Sequence, residues 1–109
     1  MQVWLASASE RRAQLLKEFG FQVKVEALHK HQEIRKCGFT VPQMVKSICA
    51  SKVDSAIKEW PSTFDGIAIV ADTLVQDPDD AHIALGQPED EYSAVAVLSR
   101  LSGRRHAVW

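Results

Sequence analysis

Ile67-Ala68-Ile69-Val70-Ala71-Asp72-Thr73 sets an unbroken apolar run against an acidic stop. A run without polar alternation has no solvent face, so it suits a strand covered on both sides, the kind that α/β proteins place inside a sheet. The expectation is a central strand from Ile67 to Ala71, with Asp72 emerging at the rim of the sheet, where such folds put their ligand sites.

The flanking segments read as the rest of an α/β domain. Upstream, Gln2 to Ala6 is a short strand feeding the small polar pair Ser7 and Ser9. A helix follows with Leu15, Leu16 and Phe19 at helical spacing and a stop at Gly20, which tolerates positive φ. Phe21 to Glu26 alternates apolar and polar, as a strand with one buried face does. The segment 27–39 lacks periodicity and reads as a solvated loop. Thr40 caps a helix with Pro42 in its first turn, and Val45, Ile48, Cys49, Val53, Ala56 and Ile57 form its apolar stripe to about Glu59. Pro61 to Gly66 is a turn.

Downstream, Leu74-Val75 can extend the apolar strand, Asp77-Pro78-Asp79-Asp80 is a turn, and Ile83-Ala84-Leu85 can pair back as the second arm of a hairpin. Gly86-Gln87-Pro88 closes that unit. A helix spans Asp90 to Leu101, and His106-Ala107-Val108-Trp109 opens another strand. No repeat or linker interrupts the sequence, so residues 1–109 read as one domain with a mixed, twisted sheet flanked by helices.

Composition narrows the function. With 109 residues, 46% hydrophobic and 25% charged, the chain can bury a modest core. A net charge of −1 gives no general attraction to nucleic acid or to an anionic membrane, so phosphate binding has to be local. Cys37 and Cys49 lack metal-pair spacing and read as reduced thiols. No signal-like or membrane-spanning run is present at Met1 to Ala6, which leaves a cytoplasmic location as the default.

Three features carry chemistry. The loop Ser7-Ala8-Ser9-Glu10-Arg11-Arg12 joins a strand to a helix N-terminus, where free N–H groups and the helix dipole favour an anion, and its hydroxyls and guanidinium groups add donors for phosphate oxygens. The same residues also suit a plain helix cap followed by surface arginines. Asp72 is placed to hold a divalent metal or act as a base, or equally to close a turn. Lys52 lies on an otherwise apolar helix face, where a snorkelling surface lysine is the simpler reading when it is taken alone.

Together these blocks resemble the Maf family of nucleotide pyrophosphatases. Leu5-Ala6-Ser7-Ala8-Ser9-Glu10-Arg11-Arg12 is similar to its opening Leu-Ala-Ser-x-Ser-Pro-Arg-Arg signature, and Ala50-Ser51-Lys52 to its Ala-x-Lys-Ala segment. Ala71-Asp72-Thr73-Leu74-Val75 is similar to Ala-Asp-Thr-Val-Val, Gly86-Gln87-Pro88 to Gly-Lys-Pro, and Leu101-Ser102-Gly103-Arg104-Arg105-His106-Ala107-Val108 to Leu-Ser-Gly-Arg-Thr-His-x-Val.

The resemblance implies the fold of that family and of related inosine triphosphate pyrophosphatases, without the second half. It also implies a hydrolase, dependent on Mg²⁺ or Mn²⁺, that cleaves nucleoside triphosphates between the α- and β-phosphates. By the same resemblance Ser7, Ser9, Arg11, Arg12, Lys52 and Gln87 face the phosphates, Thr73 helps read the base, Asp72 is both catalytic base and metal ligand, and Glu33 is a second metal ligand. The Ala-Asp-Thr block resembles members acting on dTTP and UTP.

Two departures bear on this expectation. Gln87 stands where the family has a lysine, and Glu10 where it has a proline. By the resemblance the family's usual second half is also expected beyond Trp109, so either the sequence is a fragment, or the edge left by a strand opening at its end invites a second copy or a partner chain. The alternative to an enzyme is therefore a catalytically impaired relative acting as a binding or structural subunit.

Overall fold

The computed structural model describes residues 2–28 and 38–109. The chain divides into two compact units, Met1–Glu33 with Cys49–Ala71 and Ile34–Ile48 with Asp72–Trp109.

In the first unit, β1 (Gln2–Leu5), β2 (Gln22–Val25) and β3 (Ile67–Ile69) form a parallel sheet in the order β2-β1-β3. The central strand is therefore β1, not the 67–71 run as expected. Val3, Trp4, Leu5 and Ala6 are as continuously apolar as that run, and they are the residues that burial selects, with Leu5 only 1% exposed. Ile67, at 48%, lies on a flanking strand. Burying Val3, Trp4 and Leu5 stabilises this unit by roughly 1.5–3 kcal/mol each.

Trp4, Ala6 and Ala56 form the core cluster, with Leu28, Phe64, Ala68 and Val70 packed against it. Trp4 meets Trp60 edge-on at a centroid separation of 6.1 Å, and its indole N–H donates to the Glu26 carbonyl at 2.9 Å. The polar tip of a buried indole is thereby satisfied.

Helix α1 (Glu10–Glu18) starts at Ser9, whose hydroxyl accepts from the Arg12 backbone N–H. It ends in a Schellman arrangement: Gly20 at φ +89° donates to the Lys17 carbonyl, and Phe21 N–H reaches back to Leu16. Its expected apolar stripe is largely exposed, Leu15 at 54% and Phe19 at 74%. Strand β2 forms where the alternation places it, yet Val25 is also exposed.

Helix α2 (Val41–Lys58) runs from the second unit's residues into the first's. At its start the Thr40 N–H donates to the Gln43 side-chain oxygen at 2.9 Å, the returning half of a capping box.

In the second unit, β4 (Val75–Gln76) pairs antiparallel with β5 (Ala84–Leu85) across the expected turn. The other side of β4 carries the last residues: Leu74 and Trp109 exchange backbone hydrogen bonds, and Gln76 N–H donates to Ala107. One edge of the expected C-terminal strand is thus paired within the chain. Leu74-Val75 leads into β4 instead of extending β3. Helix α3 (Glu91–Leu101) starts at Asp90, whose carboxylate accepts from Ser93 N–H at 2.7 Å. Among the described residues no helix is long and apolar enough to cross a membrane.

Candidate functional site

Parallel strands bring their C-terminal ends to one edge, and the loop from β1 into α1 leaves the sheet there. The β1–β3 pairing carries this edge to Leu5 and Ile69, and Ala6 N–H then donates to Ile69 at 3.1 Å. Ala71 therefore follows just beyond the ladder.

Two cations converge on its carbonyl. Arg12 Nη1 donates to Ala71 O at 3.3 Å and also to Ser7 Oγ at 3.3 Å, while Lys52 Nζ donates to Ala71 O at 3.2 Å. Ser7 Oγ in turn accepts from Ser9 N–H at 3.2 Å, which closes the loop on itself. Ser7, Ser9, Arg12 and Lys52 are all half-buried, and Arg11 is exposed. Lys52 is thus held at its head group by a backbone oxygen, unlike a lysine that merely snorkels to solvent.

Asp72 is half-buried and directly bonded to Ala71; Thr73 and Gln87 are exposed. These three belong to the second unit, whereas Ser7, Ser9, Arg11, Arg12 and Lys52 belong to the first. Glu33, the other expected metal ligand, and Cys37 lie outside the described residues, while Cys49 is a half-buried free thiol.

The donor chemistry of Asp72 fits a magnesium-like cation. Among the described residues no three His, Cys, Asp or Glu side chains gather into a ligand set. Mg²⁺ needs no such set, since it is commonly held by one or two carboxylates, with substrate phosphates and water completing the shell. Asp72 supplies one hard oxygen of that type.

One polar arrangement had no counterpart in the sequence reading. Asp77, 3% exposed, receives Arg100 Nε at 2.7 Å and Nη2 at 3.0 Å, and its Oδ1 accepts from Asp79 N–H at 2.8 Å. Arg104 bonds Asp79 alongside. The Arg100 hydrogen bond holds the Asp77 carboxyl below its ordinary value, against the opposing effect of burial, and Asp77 raises Arg100 in return. The Asp-Pro-Asp-Asp turn signalled only a turn, because no spacing rule links position 77 to position 100. The Ala71 carbonyl was equally invisible, since a backbone oxygen carries no residue signature.

The family description "Maf-like protein" matches residues 2–109. The chain belongs to the Maf family. Its relatives include a dTTP/UTP pyrophosphatase of Aquifex aeolicus, 34% identical over 99% of this chain and 53% of the relative. Another is a dTTP/UTP pyrophosphatase of Desulfitobacterium hafniense, 36% identical over 96% of this chain and 47% of the relative. A third, from Akkermansia muciniphila, carries the same name and is 34% identical over 97% of this chain and 52% of the relative. This Maf chain spans about half the length of the curated relatives it matches.

Proposed function

We propose that this chain carries the phosphate-binding part of a pyrophosphatase that hydrolyses dTTP, UTP or a modified nucleotide to the nucleoside monophosphate and pyrophosphate. The observation that carries the reading is the convergence of Arg12 and Lys52 on the carbonyl immediately before Asp72. It gathers two positive charges at the C-terminal edge of a parallel sheet, one residue from a carboxylate, in a family whose relatives bear the name of that activity.

In this reading the substrate triphosphate lies against the Ser7–Arg12 loop, where Ser7, Ser9, Arg11 and Arg12 donate to phosphate oxygens and Lys52 offsets their charge. Asp72 takes a proton from water as the water oxygen bonds to the α-phosphorus. The bond from that phosphorus to the α–β bridging oxygen breaks, and pyrophosphate leaves with the electron pair. A divalent cation on Asp72, with Glu33 as the second candidate ligand, would polarise the phosphoryl group and lower the pKa of the water. Thr73 would contact the nucleobase, and Gln87 would donate a neutral hydrogen bond to the phosphates.

A cytoplasmic location accords with a substrate of this kind, and the exposed apolar side chains of α1 and α3 support association with a second copy or a partner chain. No role at nucleic acid or membrane is assigned. Incubation with a panel of nucleoside triphosphates and Mn²⁺, followed by pyrophosphate release, tests the reading. Release from dTTP or UTP is the expected result, and nucleotide binding without release would favour the alternative of an impaired binding subunit.

A further inference from the structure

We propose that Arg12 and Lys52 are positioning residues for Asp72, acting through the Ala71 carbonyl; the proposal rests on the reading of Asp72 as the base. The two side chains come from different helices, 59 and 19 residues from Ala71 in sequence, and meet on one oxygen. That oxygen lies past Ile69, where the paired register of β3 with β1 ends. Beyond the ladder, a strand's backbone has to be fixed by something else, and here charged donors replace the neighbouring strand.

Peptide planarity transmits the anchoring. The carbonyl carbon and oxygen of Ala71, the amide nitrogen of Asp72 and the two flanking Cα atoms share one rigid plane. Across a trans peptide the two Cα atoms stand ~3.8 Å apart. Holding the oxygen and the Ala71 Cα therefore restricts where the Asp72 Cα can lie. A carbonyl has two lone pairs and accepts both donors, each charge-assisted and so stronger than a neutral hydrogen bond. The Ser7 hydroxyl fixes Arg12 in turn.

This role is compatible with phosphate binding, because a guanidinium carries five N–H donors and an ammonium three. It makes a different prediction, however. A residue that only contacts phosphate changes substrate affinity, whether or not the rate falls with it. A residue that sets the position of the base changes the rate of the bound complex, and a displacement of about 1 Å costs on the order of 100-fold.

The test measures backbone amide exchange at Asp72 and Thr73 in wild type, Lys52→Met and Arg12→Met, with the amides of β1 as the control for folding. Exchange at Asp72 and Thr73 should quicken by about 10-fold or more in each variant while β1 stays protected. Unchanged exchange at those two amides overturns the proposal, as does a wild type in which both already exchange at the unprotected rate. If Lys52→Met loses β1 protection, Lys52→Gln takes its place with the same two outcomes.

This measurement needs no turnover, so it stands apart from failure of the pyrophosphatase reading, which would show as a wild type releasing no pyrophosphate. With active enzyme, dTTP and Mn²⁺, Lys52→Met should lower kcat on the order of 100-fold with KM within about threefold, and Lys52→Arg should recover most of the loss. A KM raised well beyond about threefold, with kcat unchanged or lowered, would make Lys52 a phosphate contact and overturn the proposal.

Discussion

Arg100 grips Asp77 with two nitrogens, Nε on Oδ2 at 2.7 Å and Nη2 on Oδ1 at 3.0 Å, and so ties the last turn of α3 to the end of β4. The carboxylate is the buried partner and the guanidinium reaches it from the half-exposed side. Its acidity and its place in the fold are coupled.

Because the Arg100 hydrogen bond lowers the Asp77 pKa below 3.8, the unfolded chain binds more protons than the native one as that range is crossed. The contribution of Asp77 to stability is then complete above its unfolded pKa and is lost as pH falls through the folded one. Asp90 adds to the same trend, lowered first by the Ser93 backbone hydrogen bond. The urea midpoint of Asp77→Asn should lie below wild type at pH 7, and the gap should close on acidification below 3.8. A gap independent of pH would deny the pair this role.

Gly66 sits where β3 begins, and a Cβ built there would lie 2.3 Å from the backbone oxygen of Gln2. Backbone cannot yield as a flexible side chain does, so Gly66→Ala should push the start of β3 away from β1. We expect a loss of about 1–3 kcal/mol in chemical denaturation. Leu5→Ala, which empties a site only 1% exposed, should cost about 2–5 kcal/mol. A Gly66→Ala protein as stable as wild type would show that the two strands have slack at that end.

The sequence told the type of almost every described element correctly, and the reasons are local. Gly20 ends α1 because positive φ suits glycine, Thr40 and Asp90 begin helices as caps, and the Asp-Pro-Asp-Asp turn returns β5 onto β4. The sequence points to Ile67–Ala71 as the central strand where the sheet has β1 there, because Val3–Ala6 and Ile67–Ala71 are equally apolar and only burial separates them. The blocks bearing Ser7, Arg12, Lys52 and Asp72 were legible by resemblance. The oxygen on which Arg12 and Lys52 meet was not, since it belongs to no side chain.

Tyr92, Val95 and Leu98 stand 88%, 63% and 66% exposed along α3, and Phe19 is 74% exposed at the end of α1. Apolar side chains left exposed along a helix, as on α3, favour association over exposure to water. Sedimentation at micromolar concentration should show a species heavier than 12.1 kDa, and Leu98→Lys should shift it toward the monomer. Only monomer in the wild type, with cooperative unfolding, would count against the association.

The chemistry is tested by substitutions expected to diverge. Asp72→Asn removes the proposed proton acceptor and metal ligand while nearly preserving shape, so turnover should vanish with nucleotide binding largely intact. Arg11 is exposed, and Arg11→Ala removes a proposed phosphate contact, so it should weaken binding and rate together, by about 2 kcal/mol for a charged hydrogen bond. Gln87→Lys works in the opposite sense. In the proposed site a glutamine can donate to phosphate only without charge, and the charge-assisted contact of a lysine is worth about 1–2 kcal/mol more, so the lysine should raise kcat/KM for dTTP about tenfold. The gain requires Gln87 to face the triphosphate and Asp72 to be the base. Gln87→Lys added to Asp72→Asn should therefore restore nothing, and measurable pyrophosphate release from that double variant would refute Asp72 as the proton acceptor.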